Sequence, residues 1–226
     1  IQTPAKHRFH IALRFGLGNA TDMSTRLSVS TGTRAIFDTN GNDVTFASAF
    51  LAGTVSLGKA GAGTLTLSAS NTFTSGVAID GGLLRVGTVG AIGSSGSITF
   101  GGGTLFSGAG VTTDFSSRFA AVPVGVMAGV DLGANNVTFA TAVSGSGGLA
   151  KYGTGSLTLS GSNALLGGVT LNAGSLLLNN NGALGSGTFT LLGGTIGVVN
   201  ASGVTASWNM AQNWQSDFIF RSAFNL

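Results

Sequence analysis

The sequence contains no cysteine and no glutamate, and only 8% of its 226 residues are charged. Without cysteine, disulfides and thiolate metal sites are excluded. The carboxylates are limited to seven aspartates, so few groups are available for the paired carboxylates of many hydrolases. Residues 119–130 lack charged and hydroxyl side chains, but this run is much shorter than the about 20 apolar residues of a membrane helix. We predict no membrane-spanning segment.

Glycine and apolar residues dominate what is present. The chain has 39 glycines, two prolines and 43% hydrophobic residues, which is too apolar for a disordered chain. Each glycine costs about 1 kcal/mol against alanine inside a helix. Threonine, valine, isoleucine and phenylalanine suit strands, and glycine suits tight turns. The composition therefore predicts an ordered all-β protein.

The formal charge of +3 does not indicate a basic surface. Lys6, Arg8 and Arg14 lie close to the N-terminus, and the rest of the chain carries seven basic residues against seven aspartates. A nucleic-acid interface needs basic residues clustered on one face. We therefore do not predict nucleic acid as a partner.

An internal repeat is the main signal. Shifting the sequence by 92 residues aligns residues 63–86 with 155–178, and 11 of these 24 positions are identical. A repeat of this length is typical of solenoids and other repeat architectures. The alignment continues in both directions with single-residue slips. Further matched pairs are Asp22/Asp114, Arg26/Arg118, Asp38/Asp131, Lys59/Lys151, and Asn42/Asn135.

A shorter spacing of about 20 residues recurs within each long repeat, for example from Leu65 to Leu84 to Leu105. Strands at a fixed spacing predict a right-handed parallel β-helix, or β-solenoid, with about 20 residues per coil, some ten or eleven coils and a length of about 50 Å. We predict four segments: residues 1–21, a cap or the start of the first coil; 22–113, repeat 1; 114–205, repeat 2; and 206–226, a truncated third repeat. We expect both ends to lie within a longer polypeptide.

Residues 145–163, followed by 168–174 and 182–186, strongly resemble the autotransporter-associated β-strand repeat, also called the passenger-associated transport repeat. Residues 59–71 match the same pattern. The resemblance implies a passenger region of type V secretion that forms a β-helical stalk outside the cell, at the bacterial surface, where it displays adhesive or other modules. It implies other surface proteins or glycans as partners. The exposed strands of a cut solenoid add end-to-end self-association.

The repeated polar residues favour structural roles over chemistry. An asparagine after the Leu-Thr-Leu strand can bond turn backbone or form a ladder, and a repeated aspartate suits a corner. Asp43 and Asp80 become asparagine in the second repeat, an exchange typical of turns. We expect the repeated Arg and Lys pairs to bond loop carbonyls. The turn or ladder candidates are Asn71, Asn163, Asp38, Asp131, Asp22 and Asp114.

No catalytic, cofactor or metal site is predicted. His7 and His10 lack a third ligand, and Trp208 and Trp214 favour core packing over sugar stacking. The leading hypothesis is a non-enzymatic structural or adhesive stalk. Two alternatives remain: a polysaccharide-active β-helix enzyme, which needs unrepeated aspartates on one face, and a ligand- or ice-binding solenoid, which needs a flat array of outward threonines such as Thr64 and Thr66.

Overall fold

A computed structural model describes residues 10–199, 210–217 and 219–222. The first half contains eleven short strands: β1 His10–Arg14, β2 Arg34–Asp38, β3 Val44–Phe46, β4 Ala52–Gly53, β5 Ser56–Ala60, β6 Thr64–Leu67, β7 Thr72–Phe73, β8 Val77–Ile79, β9 Leu83–Val86, β10 Ile98–Phe100 and β11 Thr104–Ser107. The second half contains twelve: β12 Met127–Asp131, β13 Val137–Phe139, β14 Ser144–Gly145, β15 Gly148–Tyr152, β16 Ser156–Leu159, β17 Ala164–Leu165, β18 Val169–Leu171, β19 Ser175–Leu178, β20 Phe189–Leu191, β21 Thr195–Val198, β22 Gln212–Trp214 and β23 Ile219–Ser222. Two 3-10 turns, Ser24–Arg26 and Ser116–Arg118, interrupt this pattern.

The strands form three long parallel sheets that run along the axis of a solenoid. The first sheet has the order β1-β2-β5-β8-β10, the second β3-β6-β9-β11-β12-β15-β18-β20-β22, and the third β13-β16-β19-β21-β23. Two-stranded sheets, β4-β7 and β14-β17, complete the coils. Neighbouring strands in these sheets run parallel, which confirms the predicted all-β parallel β-solenoid.

The register confirms that equivalent leucines stack. Leu65 pairs with Leu84, and Leu84 with Leu105, and all three are at most 2% exposed. Neighbouring threonines or arginines point outward, as the two-residue period of a strand requires. Each coil therefore buries its apolar residues against the coils on either side.

Aromatic residues fill the wider parts of this core. Phe46 packs edge to face against Phe37 and Phe50, with ring centroids 5.2 and 4.9 Å apart. Farther along the axis, Phe119 packs in the same way against Phe100 and Phe139, at 5.1 and 5.4 Å. Edge-to-face contacts of this kind stabilise a core beyond the area that they bury.

The two sequence repeats do not occupy the same faces. Strand β5 lies in the first sheet, whereas its counterpart β15, 92 residues later, lies in the second; β6 and its counterpart β16 lie in the second and third sheets. The ladder of the first sheet passes from β2 through β5, β8 and β10 to Phe119, and the chain then advances one face to β12, the counterpart of β2. One repeat therefore equals four coils and one additional face.

This advance occurs in a long coil at the repeat boundary. His10 pairs with Arg34, 24 residues later, and Thr104 with Gly129, 25 residues later. Inside a repeat the spacing is shorter: Leu65 and Leu84, for example, are 19 residues apart. The described residues contribute nine strands to the second sheet, so the prediction of ten or eleven coils is too high, in part because the boundary coils take more residues.

The structure has few helical turns. In the described part of the chain, no helix is long and apolar enough to span a bilayer.

Candidate functional site

The corners of the solenoid hold most of its buried polar side chains, and the two predicted asparagines lie there. Asn71 is 5% exposed. Its Oδ1 accepts hydrogen bonds from the backbone N–H groups of Phe50 and Leu51, at 3.0 and 3.1 Å, and its Nδ2 donates to Ala91 O at 2.8 Å. One side chain thus joins three consecutive coils.

Asn163 makes equivalent contacts in the second repeat. Its Oδ1 accepts from Val143 N at 2.7 Å, and its Nδ2 donates to Ala183 O. Both asparagines bond main-chain groups of the adjacent coils rather than each other. They therefore act on turn backbone and do not form an asparagine ladder.

Asp22 and Asp114 begin the two 3-10 turns with the same geometry. Asp22 accepts from Ser24 N at 2.8 Å and from Ala47 N, one coil later, at 3.0 Å. Asp114 accepts from Ser116 N and Ala140 N, both at 2.8 Å. Desolvation raises the pKa of Asp22, but the hydrogen bonds from Ser24 and Ala47 together outweigh it, so that this pKa is lowered. Each aspartate ties its turn to the next coil.

Asp38 and Asp131 form local turns. Their Oδ1 atoms accept from Asn40 N at 2.9 Å and from Gly133 N at 2.8 Å. Asn40 has a φ of 50°, a conformation that asparagine tolerates better than most residues. Asp38 also faces Arg14, with Nε and Oδ2 3.4 Å apart. This pair is solvent-exposed and contributes little to stability.

The exchange of aspartate for asparagine between the repeats has two different explanations. Asp43 accepts from Thr64 N at 2.9 Å, and Asn136, its counterpart, accepts from Ser156 N at 3.0 Å, as expected for a turn residue. Asp80 differs, because its carboxylate bonds the side chain of Arg34. The turn interpretation of Asp80 is therefore wrong.

A second pair of asparagines, not among the predicted candidates, also holds corners. Asn42 donates to Gly16 O and Thr39 O and accepts from Gly18 N. Asn135 donates to Gly108 O at 2.8 Å and accepts from Gly110 N at 2.9 Å. The signal for this role in the sequence is the recurrence of the pair in the alignment of the repeats.

The two repeated lysines are completely buried. Lys59 points inward in the same column as Phe37 and Ile79, and its Nζ donates to the carbonyl oxygens of Ala60, Gly61 and Gly81. Lys151 donates to three equivalent carbonyls at 2.8 to 3.1 Å, those of Tyr152, Gly153 and Ala173. Burial lowers the pKa of each lysine to about 8, while nearby aspartates act in the opposite direction.

The repeated arginines are not equivalent. Arg118 donates to the carbonyl oxygens of Ile92, Gly93, Ser95 and Gly96, at 2.8 to 3.1 Å, so it holds the loop of the preceding coil. Arg26 is exposed, and its side chain makes no hydrogen bond to any described residue. The expectation of a carbonyl-binding pair therefore holds for Arg118 and for the lysines, but not for Arg26.

The outer surface of the first sheet carries a shallow polar cavity of about 180 Å³. Arg34 and Asp80 meet there, with Nη2 and Oδ2 2.8 Å apart. Residues Ser56, Ser75 and Ser97 also line the cavity. This is the part of the described surface where charged and hydroxyl side chains converge outside the corners.

The remaining terminal predictions lie at the limits of the described residues. His10 is exposed in β1, whereas Lys6, His7, Arg8 and Trp208 lie outside the described residues. Trp214 is 49% exposed.

Comparison with known proteins identifies a repeat family. The profile described as Passenger-associated-transport-repeat matches residues 57–86 and 149–178. The chain is also similar to the Adhesin BmaC autotransporter of Brucella suis biovar 1 (strain 1330), with 35% identity over 169 residues. That alignment covers 70% of this chain but only 5% of the Brucella protein. No solved structure matches the chain.

Proposed function

This chain carries two passenger-associated transport repeats, and from this premise we propose that it is a non-enzymatic structural or adhesive segment of a stalk. The repeats and the Brucella relative assign it to the extracellular or cell-surface passenger of an autotransporter. We further propose that residues 22–113 and 114–205 are the two structural units, flanked by residues 1–21 and by the start of a third unit at 206–226.

The observation that carries the proposal is the repetition of the same corner contacts in both units. Asn71 and Asn163 each join adjacent coils, and Lys59 and Lys151 each bind three carbonyls. Such contacts stiffen a rod along its axis, because every coil is tied to the coils on either side. A stalk requires this property, whereas a catalytic centre is normally a single unrepeated constellation.

The carboxylates support a non-enzymatic role. Asp22, Asp38, Asp43, Asp114 and Asp131 each accept hydrogen bonds from backbone N–H groups. A catalytic acid or base must instead face the substrate with a free oxygen and a pKa matched to the reaction. These five aspartates are engaged in turn structure.

An ice-binding surface finds no support in the outward threonines. The column that contains Thr45 and Thr66 continues with Arg85 and Phe106. A flat, regular array of hydroxyl and methyl groups is therefore broken after two coils. This favours the stalk over the ice-binding alternative.

We also propose that the segment self-associates end to end. In the described residues, β1 and β23 each have a single neighbouring strand, and Ile11 and Ile219 are 47% and 55% exposed. Unpaired strands with exposed apolar residues favour pairing with another chain. The partner in this contact is a second copy.

A panel of acidic and neutral polysaccharides tests the non-enzymatic role. Purified chain is incubated with each polymer, and new reducing ends and unsaturated uronates are measured; we expect neither. Product that disappears in an Asp80→Asn variant would contradict the proposal. Beads coated with the chain and applied to cultured mammalian cells test adhesion, with beads coated with albumin as the control; equal retention of both would contradict an adhesive role.

Sedimentation velocity tests self-association separately. We expect elongated particles whose sedimentation coefficient increases with concentration. A single elongated monomer at every concentration would exclude end-to-end contacts while leaving the stalk intact.

A further inference from the structure

The outer surface of the first sheet contains a trough, which we define as the surface above Gly58 and Ala78 that is bordered by Arg34 on one side and Ser97 on the other. Gly58 and Ala78 occupy adjacent positions of one outward column, in β5 and β8. Because neither has a large side chain, the sheet surface is open there, and the cavity of about 180 Å³ lies over it.

The side chain of Arg34 lies flat across the sheet towards the trough. It starts in β2, passes above Gly58 in β5 and reaches Asp80, which directly follows β8. A Cβ on Gly58 would approach Arg34 Nε to 3.3 Å and Ile36 Cγ1 to 3.1 Å. The glycine therefore makes room for the guanidinium.

The trough contains polar groups that the protein does not use. Of the five N–H groups of a guanidinium, Arg34 bonds one group to Asp80. Among the described residues, the hydroxyls of Ser56, Ser75 and Ser97 have no hydrogen-bond partner, although all three line the cavity. Several donors and acceptors thus face the same open volume.

The solenoid itself does not require these groups. In the second repeat the counterpart of Arg34 is Met127, and the counterparts of Ser56, Ser75 and Asp80 are Gly148, Gly167 and Asn172. Strands β12, β15 and β18 nevertheless pair in the same way as β2, β5 and β8. The corner asparagines, aspartates and lysines recur, whereas this polar set occurs once. A group that the fold does not need is a candidate for ligand binding.

The chemistry favours an uncharged ligand that is rich in hydroxyl groups. Arg34 and Asp80 neutralise each other, so an anion or a cation would have to displace one partner from the other. A diol satisfies both without breaking the pair, because its oxygens accept from the guanidinium and its hydroxyls donate to the carboxylate. The serine hydroxyls can donate or accept, and fixed polar groups of this kind give a binding site its specificity.

We propose that the trough binds a neutral saccharide unit through Arg34, Asp80 and the hydroxyls of Ser56, Ser75 and Ser97. This inference rests on the proposed adhesive function and gives it a ligand class. The volume, below the usual range of enclosed ligand pockets, suits one sugar ring of a longer glycan. The open shape leaves the rest of the glycan in solvent.

Titration by 15N-HSQC NMR tests the site. The probes are the methyl glycosides of glucose, galactose, mannose and N-acetylglucosamine, with methyl glucuronide and sialyllactose as acidic probes. We expect at least one neutral glycoside to shift the amides of residues 56–58, 75–78 and 97–99 in a saturable manner. No such shift with any neutral glycoside, or saturation by the acidic probes alone, would overturn the proposal.

The second repeat supplies the matched control variant. The fourfold change Arg34→Met, Ser56→Gly, Ser75→Gly and Asp80→Asn gives the trough the residues of the second repeat. We expect at least a tenfold loss of affinity with the thermal midpoint retained. The single Ser97→Ala change, expected to weaken binding about threefold, keeps the test informative if the fourfold variant does not fold. Unchanged affinity in both would overturn the assignment.

The bead assay distinguishes this inference from the proposed function. Retention of cell adhesion by the fourfold variant, with loss of glycoside binding, contradicts the trough as the adhesive surface but leaves an adhesive stalk in place. Loss of adhesion together with glycoside binding supports both.

Discussion

Lys59 donates a hydrogen bond of 3.1 Å from its Nζ to the main-chain oxygen of Gly81, one coil farther along the chain. Two further bonds, to Ala60 O and Gly61 O, complete a buried carbonyl cage. Lys151 repeats the arrangement. A full charge is thus held inside a chain with few charges, at the corner between two faces of the solenoid.

Stability should depend on pH through these two lysines. Burial lowers their pKa from 10.5 to about 8. Between these values the unfolded chain binds more protons than the folded chain, so the free energy of unfolding should rise from pH 8 to 10.5 and be unaffected by the lysines below pH 8. Urea titrations at half-unit pH steps measure this. The Lys59→Met/Lys151→Met double variant should lack the rise; a fall in the parent chain would contradict the assignment.

Replacing Asn71 with alanine should destabilise the chain strongly. The change leaves two backbone N–H groups and one carbonyl without their partner, and each buried unsatisfied group costs about 1–3 kcal/mol. Chemical denaturation should show a loss of about 2–4 kcal/mol. Thr72→Ala, at the adjacent exposed position, is the control and should be close to neutral. Equal effects of both changes would show that the amide contributes nothing.

Arg118 and Arg26 should respond differently to the same substitution. Arg118→Ala removes a cation from four carbonyl oxygens, and hydrogen bonds to charged groups are worth about 1.5–3 kcal/mol each before solvent compensates the exposed acceptors. We expect a loss of about 2 kcal/mol and faster amide exchange near residues 92–97. Arg26→Ala should change neither quantity. Comparable losses in the two variants would show that the carbonyl contacts are not responsible.

Gly168 should not tolerate a side chain. Its φ is 81°, and a Cβ would clash with Thr188 O in the next coil. Gly168→Ala should therefore separate the coils locally and lower the free energy of unfolding by more than about 1 kcal/mol. A Cβ on Gly16 would have no atom within 4 Å, and the φ of Gly16 is not positive, so Gly16→Ala is the matched control. A thermal midpoint unchanged by Gly168→Ala would contradict the close approach.

The stacking of coils could be predicted because it is written in local patterns. The alternation around Leu65 and Leu84 specifies which side chains point inward, and their spacing specifies which residues pair. Asn71 could be assigned to a turn because it follows a strand and recurs after 92 residues. These inferences require no knowledge of distant contacts.

Other features depend on three-dimensional placement. The side chain of Arg34 crosses one coil to reach Asp80, 46 residues away, and neither residue signals the other in sequence. The advance of one face at the repeat boundary depends on how residues 108–126 cross the coil, including the 3-10 turn at Ser116–Arg118. Single-residue slips in the alignment mark this region but do not show which sheet receives β12.

The extra face in each repeat gives the sequence a screw-like display. A motif that recurs once per repeat emerges about a third of a revolution away from its previous copy, so two neighbouring repeats point their equivalent surfaces in different directions. With three sheets around the axis, three tandem repeats return a surface to its starting azimuth. A passenger built this way would present its variable patches around the whole circumference of the shaft, and a partner approaching from any side would meet one of them.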